Sequence, residues 1–126
     1  MSLEIATGTS MQEIGSVLSG VGAEVCIDND DLSGNLGASN TYFVFRKCHE
    51  LEQVVTEGVS VSWAVGVRGA FHCPVDSLAQ GSSDIKRFLT DLSEKNQCYF
   101  IFSFQYESVY AVRDEDGLRF LNEMVG

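Results

Sequence analysis

Two cysteine–histidine pairs are the residues of this sequence best suited to chemistry. Cys48 is followed by His49, and His72 is followed by Cys73. Two thiolates and two imidazoles form a common structural zinc set. Zinc modules usually take two ligands from one turn, however, whereas neighbouring residues of a strand point to opposite faces. We therefore expect a buried cysteine and a surface histidine in the second pair, and no metal or other cofactor.

A nucleophilic cysteine with a distant histidine as its base is the second chemistry that these pairs allow. No glycine-rich turn surrounds any of the four cysteines, and the chain has two histidines. The G-x-S-x-G, P-loop and G-x-G-x-x-G motifs are also missing from the sequence, and with them the usual scaffolds for acyl transfer and nucleotide binding. We expect a protein that is not an enzyme and has no catalytic residue, with a small Cys/His enzyme as an alternative.

The acidic segments offer a third kind of chemistry. Asn29-x-Asp31-x-Ser33-Gly34 resembles the start of an EF-hand loop, but the twelfth position is Asn40, where a bidentate glutamate is needed to hold calcium. The consecutive acids at 114–116 form an exposed turn rather than a convergent acid–base pair. A solvated acidic loop that docks onto a basic surface is the interpretation that we favour for the first segment.

The distribution of charge excludes several classes of partner. The chain of 126 residues has a net charge of −10, and six acidic residues but no lysine or arginine precede Arg46. A protein with a pI near 4.4 repels nucleic acid and anionic membranes and attracts basic proteins. Tyrosine is enriched at interfaces. The predicted partner-binding residues are the acids of two segments and two tyrosines: Asp28, Asp30, Asp31, Asp114, Glu115, Asp116, Tyr99 and Tyr106.

The cysteines and the amino terminus indicate a compartment. Met1-Ser2-Leu3-Glu4 lacks the basic and apolar regions of a signal peptide, and no apolar run approaches the roughly 18 residues that span a bilayer. Four cysteines in such a chain are expected to be reduced thiols. We therefore predict a cytoplasmic protein without membrane contact, and we leave open whether it forms a homodimer.

Periodicity predicts one α+β domain over residues 1–126, with a mostly antiparallel mixed sheet of about five to six strands packed by two to four helices. Ser10 and Glu13 have the spacing of a capping box. The predicted helices cover residues 10–19, 50–56, a segment that follows Asp84, and 117–124. A polar loop is predicted over residues 28–40.

The strands are predicted from β-branched and aromatic residues and from alternation. The clearest alternation places Val59, Val61 and Trp63 on a bulky face that would join the core, and small residues on a bare face. The predicted strands cover residues 23–27, 41–45, 59–67, 70–75, 98–105 and 108–113.

In size, net charge, α+β pattern and lack of a catalytic motif, the chain resembles the small acidic immunity proteins of bacteria. The resemblance implies that it neutralises a cognate basic toxin domain, such as a nuclease, by occluding its active site. Asp28, Asp30 and Asp31 would then engage cations that normally hold phosphate. The alternatives are a nucleic-acid mimic and a secretion chaperone or adaptor that works as a dimer. The chaperone would use the bare strand face, Ser60, Ser62, Ala64 and Gly66, to accept an extended segment.

Overall fold

The computed structural model describes residues 1–122, which form one antiparallel sheet of eight strands with two helices on one of its faces. The sheet order is β2-β3-β4-β5-β1-β6-β7-β8. In chain order the elements are β1 (Ser2–Ala6), α1 (Met11–Gly20), β2 (Ala23–Asp28), β3 (Asp31–Leu36), β4 (Thr41–Glu52), β5 (Val65–His72), the 3₁₀ turn Val75–Ser77, α2 (Leu78–Asn96), β6 (Phe100–Phe104), β7 (Ser108–Asp114) and β8 (Gly117–Phe120).

The predicted fold class is confirmed in its main features, because the domain is α+β with an antiparallel sheet and two helices in the described residues. The predicted number of five to six strands is wrong. Strands β1, β3 and β8 were not predicted. Strand β1 lies in the middle of the sheet, between β5 and β6, and all five of its residues are buried.

The predicted polar loop over residues 28–40 is wrong, because its middle is strand β3. Asn29 and Asn40 both have φ of 56°, which short polar side chains tolerate in tight turns. Gly34 lies opposite Phe43, and a Cβ at this position would lie 1.9 Å from the Glu24 carbonyl oxygen and 2.7 Å from the Phe43 ring. The glycine that favours a loop in the sequence therefore makes room for an aromatic ring.

Three further predicted segments differ from the structure. The predicted helix 50–56 is wrong, since β4 continues to Glu52 and an irregular stretch follows. The predicted strand 59–67 forms only from Val65 onward, and it joins the predicted strand 70–75 in one strand, β5. Residues 117–120 of the predicted helix 117–124 are strand β8, which pairs with β7, and residues 123–124 lie outside the described residues.

Both helices pack their predicted apolar sides on the sheet. The capping box of α1 is confirmed, because Ser10 Oγ accepts a hydrogen bond from the Glu13 N–H at 3.1 Å and Glu13 Oε1 accepts one from the Ser10 N–H at 3.3 Å. Helix α2 begins at Leu78, six residues before Asp84, after which the predicted helix starts. Between Met1 and Asn122, no helix is long and apolar enough to cross a membrane. The side chains that α2 buries include Ile85, Phe88, Leu89 and Leu92.

Candidate functional site

The predicted partner-binding acids lie at opposite edges of the sheet. Asp28, Asp30 and Asp31 surround the turn between β2 and β3, and β2 is one edge strand. The acids 114–116 lie at the turn between β7 and β8, and β8 is the other edge strand. Four strands separate the two hairpins, which corresponds to about 24 Å between β3 and β7. The structure therefore does not bring the two acidic segments together in one surface.

The β2–β3 hairpin presents carboxylates that are held only by weak contacts. Asp31 Oδ1 lies 3.4 Å from Arg46 Nε, and Asp30 Oδ2 lies 3.5 Å from His49 Nε2. The side chains of Arg46 and His49 are 75% and 77% exposed, and exposed ion pairs contribute little to stability. Asp28 is exposed, and its carboxylate has no hydrogen bond or ion pair within residues 1–122. These carboxylates are therefore available to an outside cation.

The acidic turn at the opposite edge is partly used by the fold itself. Asp114 Oδ1 accepts a hydrogen bond from the Asp116 N–H at 2.9 Å, which closes the turn. Asp114 Oδ2 accepts another from Arg119 Nη2 at 2.5 Å. Glu115 and Asp116 are exposed. One of the three predicted acids of this turn thus has a structural partner on each carboxylate oxygen.

The two predicted tyrosines pack beneath arginines of the same chain. The Arg113 guanidinium lies 5.7 Å from the ring centroid of Tyr99, and that of Arg68 lies 5.9 Å from the ring centroid of Tyr106. Both tyrosines are partly buried. Ile101, two residues after Tyr99, is fully buried. The contact of these tyrosines with a partner stays a prediction.

A buried carboxylate on the helix-free face is the main polar feature that sequence reasoning missed. Glu4 is fully buried, and its carboxylate accepts hydrogen bonds from the Val55 N–H at 2.9 Å and the Thr56 N–H at 3.2 Å. The Thr56 hydroxyl also donates to it. Arg68 Nη1 donates at 2.5 Å to Glu4 Oε2, the oxygen that also accepts from the Val55 N–H. Glu4 therefore fastens residues 53–64, which we call the 53–64 segment, to the middle of the sheet.

Arg68 completes this network at the edge of the 53–64 segment. Its Nε donates to Glu52 Oε1 at 3.0 Å and its Nη2 to the Gln53 carbonyl at 2.9 Å. Burial acts to lower the pKa of Arg68, but the hydrogen bonds with Glu4 and Glu52 outweigh it and raise the pKa. The hydrogen bond from Arg68 lowers the pKa of Glu52 in turn. The one sign of this site in the sequence is a glutamate between the apolar residues Leu3 and Ile5. The residues that bind Glu4 are more than 45 positions away, so local spacing does not reveal them.

The bare strand face that a chaperone would use does not form. Ser60, Ser62 and Ala64 belong to the 53–64 segment, where they line a surface groove of about 380 Å³ together with Trp63. Gly66 packs against Thr7, because a Cβ on Gly66 would lie 2.8 Å from Thr7 Cα. The prediction of an open acceptor strand is therefore wrong, since within residues 1–122 Ser60, Ser62 and Ala64 have no neighbouring strand to align them, whereas Gly66 belongs to β5.

The cysteine–histidine pairs do not converge. His72 stacks on Tyr42 with the ring centroids 6.2 Å apart, and Cys73 Sγ lies 3.5 Å from the carbonyl oxygen of Ser77. Cys73 is only partly buried, and its sulfur occupies the space that a side chain at Gly81 of helix α2 would need. In the described part of the chain, no group of three or more histidine, cysteine, aspartate or glutamate residues is placed to hold a metal ion.

The reactivity of the thiols distinguishes a structural cysteine from a nucleophile. Burial raises the pKa of Cys48, which Glu52 raises further, and burial also raises the pKa of Cys98. Cys26 is exposed on β2. Because the thiolate is the reactive form, we expect iodoacetamide at pH 7.5 to label Cys26 about tenfold faster than Cys98, as followed by peptide mass spectrometry. Equal labelling of Cys98 and Cys26 would contradict this, and labelling of Cys48 ahead of Cys26 would support the Cys/His enzyme.

The chain matches no protein-family model, no curated protein and no solved structure. Function is therefore inferred from the surfaces of this fold. The carboxylates of Glu4 and Asp114 are occupied by contacts within the chain. The hairpin at residues 28–31 combines negative charge with exposure, and it is the surface best suited to bind another molecule.

Proposed function

We propose that this protein is a small acidic binding protein of the cytoplasm that inhibits a basic protein partner. The observation that carries the proposal is the β2–β3 hairpin of a chain with net charge −10, where Asp28 is exposed and the side chains of Asp30 and Asp31 are 46% and 50% exposed. Like charges so close together repel one another and weaken the folded state. Cations of a partner placed among them would remove this repulsion.

The class of partner follows from the chemical similarity of carboxylates to phosphates. Enzymes that act on nucleic acids hold phosphate with arginine and lysine, and the same side chains bind carboxylates through charge-assisted hydrogen bonds. A hairpin with three carboxylates within four residues can therefore occupy a phosphate-binding site. The proposed partner is the nuclease domain of a toxin, and the proposed mechanism is occlusion of its active site, as in the immunity proteins of bacteria.

Charge reversal on the hairpin tests the proposal. We expect a variant with Asp30→Lys and Asp31→Lys to associate with the partner about 10- to 100-fold more slowly, because complementary charge mainly accelerates encounter. Its free energy of unfolding should change by less than about 1 kcal/mol, because both residues make only exposed ion pairs. The partner is first captured from native lysate at low and at moderate salt and identified by mass spectrometry, and the association rate is then measured with the purified pair.

The matched control carries the same change of charge at the other edge of the sheet. Glu115→Lys with Asp116→Lys alters the net charge equally, on exposed residues, and should slow association by less than about threefold, the effect expected of net charge alone. Equal slowing by the two variants would show that only overall charge matters. A large loss of stability in the hairpin variant would show that its acids serve the fold.

A further inference from the structure

Strand β2 has one edge without a neighbouring strand in the described part of the chain. It ends the sheet order and pairs only with β3. Every second residue of such a strand directs its N–H and C=O groups away from the sheet, where another chain can bind them. None of these outward groups, over Ala23–Asp28, bonds to another part of residues 1–122. The proposed partner-binding turn continues directly from this edge.

The helix side of β2 is apolar. Val25 and Ile27 lie beside Gly15 of α1, and a Cβ on Gly15 would meet Ile27 Cδ1 at 3.2 Å. Together with Ser16 and Ser19 these residues line a groove of about 380 Å³ between the strand and the helix. Ile27 is 40% exposed in this groove. Side chains of an added strand that point to this side would pack beside Val25 and Ile27, in a groove that Gln12 and the two serines of α1 make partly polar.

The other side of β2 is acidic. Because side chains alternate along a strand, Glu24, Cys26 and Asp28 point away from the helix, and all three are exposed. A second groove of about 420 Å³ lies on this side, where Glu24 and Cys26 are joined by Tyr42 of β4. Side chains of an added strand that point this way would meet two carboxylates.

We propose that β2 accepts an extended segment of the basic partner as a ninth strand of the sheet. In this segment lysine or arginine alternates with apolar residues, so that the cations face Glu24 and Asp28 while the apolar side chains pack beside Val25 and Ile27. Backbone hydrogen bonds hold the segment, and the alternating sides of β2 select its sequence. This inference rests on the proposed function and names the chemistry of the partner's contact segment.

A second copy of the chain fits this edge less well than a basic segment. If two copies of β2 paired antiparallel about Cys26, Glu24 of each copy would lie opposite Asp28 of the other. Like charges directly opposite each other in a sheet are destabilising, whereas opposite charges stabilise it. In this register, the acids that disfavour self-pairing are therefore the ones that would attract a cationic strand.

Synthetic peptides test strand addition on the full chain. The probe is a dye-labelled nine-residue peptide in which lysine and valine alternate, and fluorescence anisotropy reports its binding. A peptide of the same composition with the lysines and valines in separate blocks should bind at least about tenfold more weakly. Two further peptides are N-methylated at the odd or at the even backbone nitrogens. Only one of them should lose affinity, because only one set of N–H groups faces β2.

Two protein variants locate the site. Glu24→Lys with Asp28→Lys should weaken the alternating peptide at least about tenfold, whereas Glu115→Lys with Asp116→Lys, at the other edge, should change its affinity less than about threefold. Equal binding of the alternating and block peptides, equal effects of the two methylation patterns, or no binding of the alternating peptide would each overturn the proposal.

Hydrogen exchange of the complex with the captured partner separates this inference from the proposed function. Strand addition predicts slower exchange for the amides of β2 that point away from β3. A partner that requires Asp30 and Asp31 but leaves these amides unprotected would support inhibition and overturn strand addition. Peptide binding as predicted, without any basic partner, would support strand addition and overturn the inhibitor function.

Discussion

Replacing Phe71 with alanine should lower the free energy of unfolding by about 4 kcal/mol. Phe71 is 1% exposed and lies in the centre of an aromatic cluster between the sheet and α2. The cavity left by its ring cannot collapse, because its neighbours are fixed on strands β4 and β6 and on α2. Urea denaturation followed by circular dichroism measures the loss. The ring centroids around it lie 5.5–6.1 Å away, in Phe43, Phe45, Phe88 and Phe102.

Trp63→Ala is the control for Phe71→Ala. The alternating pattern around Trp63 predicts a core residue, whereas the structure places Trp63 partly exposed on the 53–64 segment, outside the buried core. We expect its replacement to cost about 1 kcal/mol. If the two variants lost the same stability, the tryptophan would belong to the core and the position of this segment would be wrong.

The elements that can be predicted from the sequence are those whose apolar residues recur with the period of a helix or a strand because one face packs in the core. Helix α1 and the central stripe of α2 are visible because their apolar residues recur on one face, and β6 and β7 because they are rich in aromatic and β-branched residues. Strand β1 is not visible, because Glu4 interrupts its apolar residues. The buried carboxylate is compatible with a central strand only through partners from the distant 53–64 segment and Arg68.

The predicted strand over residues 59–64 is the largest error, and it arises because the alternating residues there have no neighbouring strand among residues 1–122. Residues 59–64 alternate as a strand would, but β1 ends at Ala6, opposite Val65. The Thr7 N–H then donates to the Ala64 carbonyl at 3.1 Å, which marks the last contact between the two segments. Beyond that point neither β1 nor a regular part of β4 is available to pair. A strand needs partners on its edges, and the local sequence does not contain that information.

The candidate site was predictable as a set of charges but not as a surface. Of the six acids before Arg46, Glu4 is buried and Glu13 is exposed on α1, whereas the other four lie on the β2–β3 hairpin. The separation of that hairpin from the acidic turn at 114–116 depends on the strand order. Strand order arises from long-range pairing, which single-sequence patterns do not reveal.

Replacing Glu4 with alanine should lower the free energy of unfolding by about 3 kcal/mol. The change leaves Arg68, whose side chain is only 21% exposed, without its closest counter-charge. It also removes the acceptor for the Val55 and Thr56 N–H groups and the Thr56 hydroxyl. Chemical denaturation measures the stability, and hydrogen exchange at these two amides should become faster even where the protein remains folded.

Glu52, the second carboxylate that Arg68 binds, provides the control for Glu4→Ala. Glu52 also pairs with Arg68, at 3.0 Å, but its side chain is 48% exposed, so Glu52→Ala should cost much less stability than Glu4→Ala. Glu4→Gln keeps the size of the side chain and one oxygen acceptor, and its cost should fall between the two. If Glu4→Ala left the exchange of the 53–64 segment unchanged, the buried carboxylate would not be what fastens this segment to the sheet.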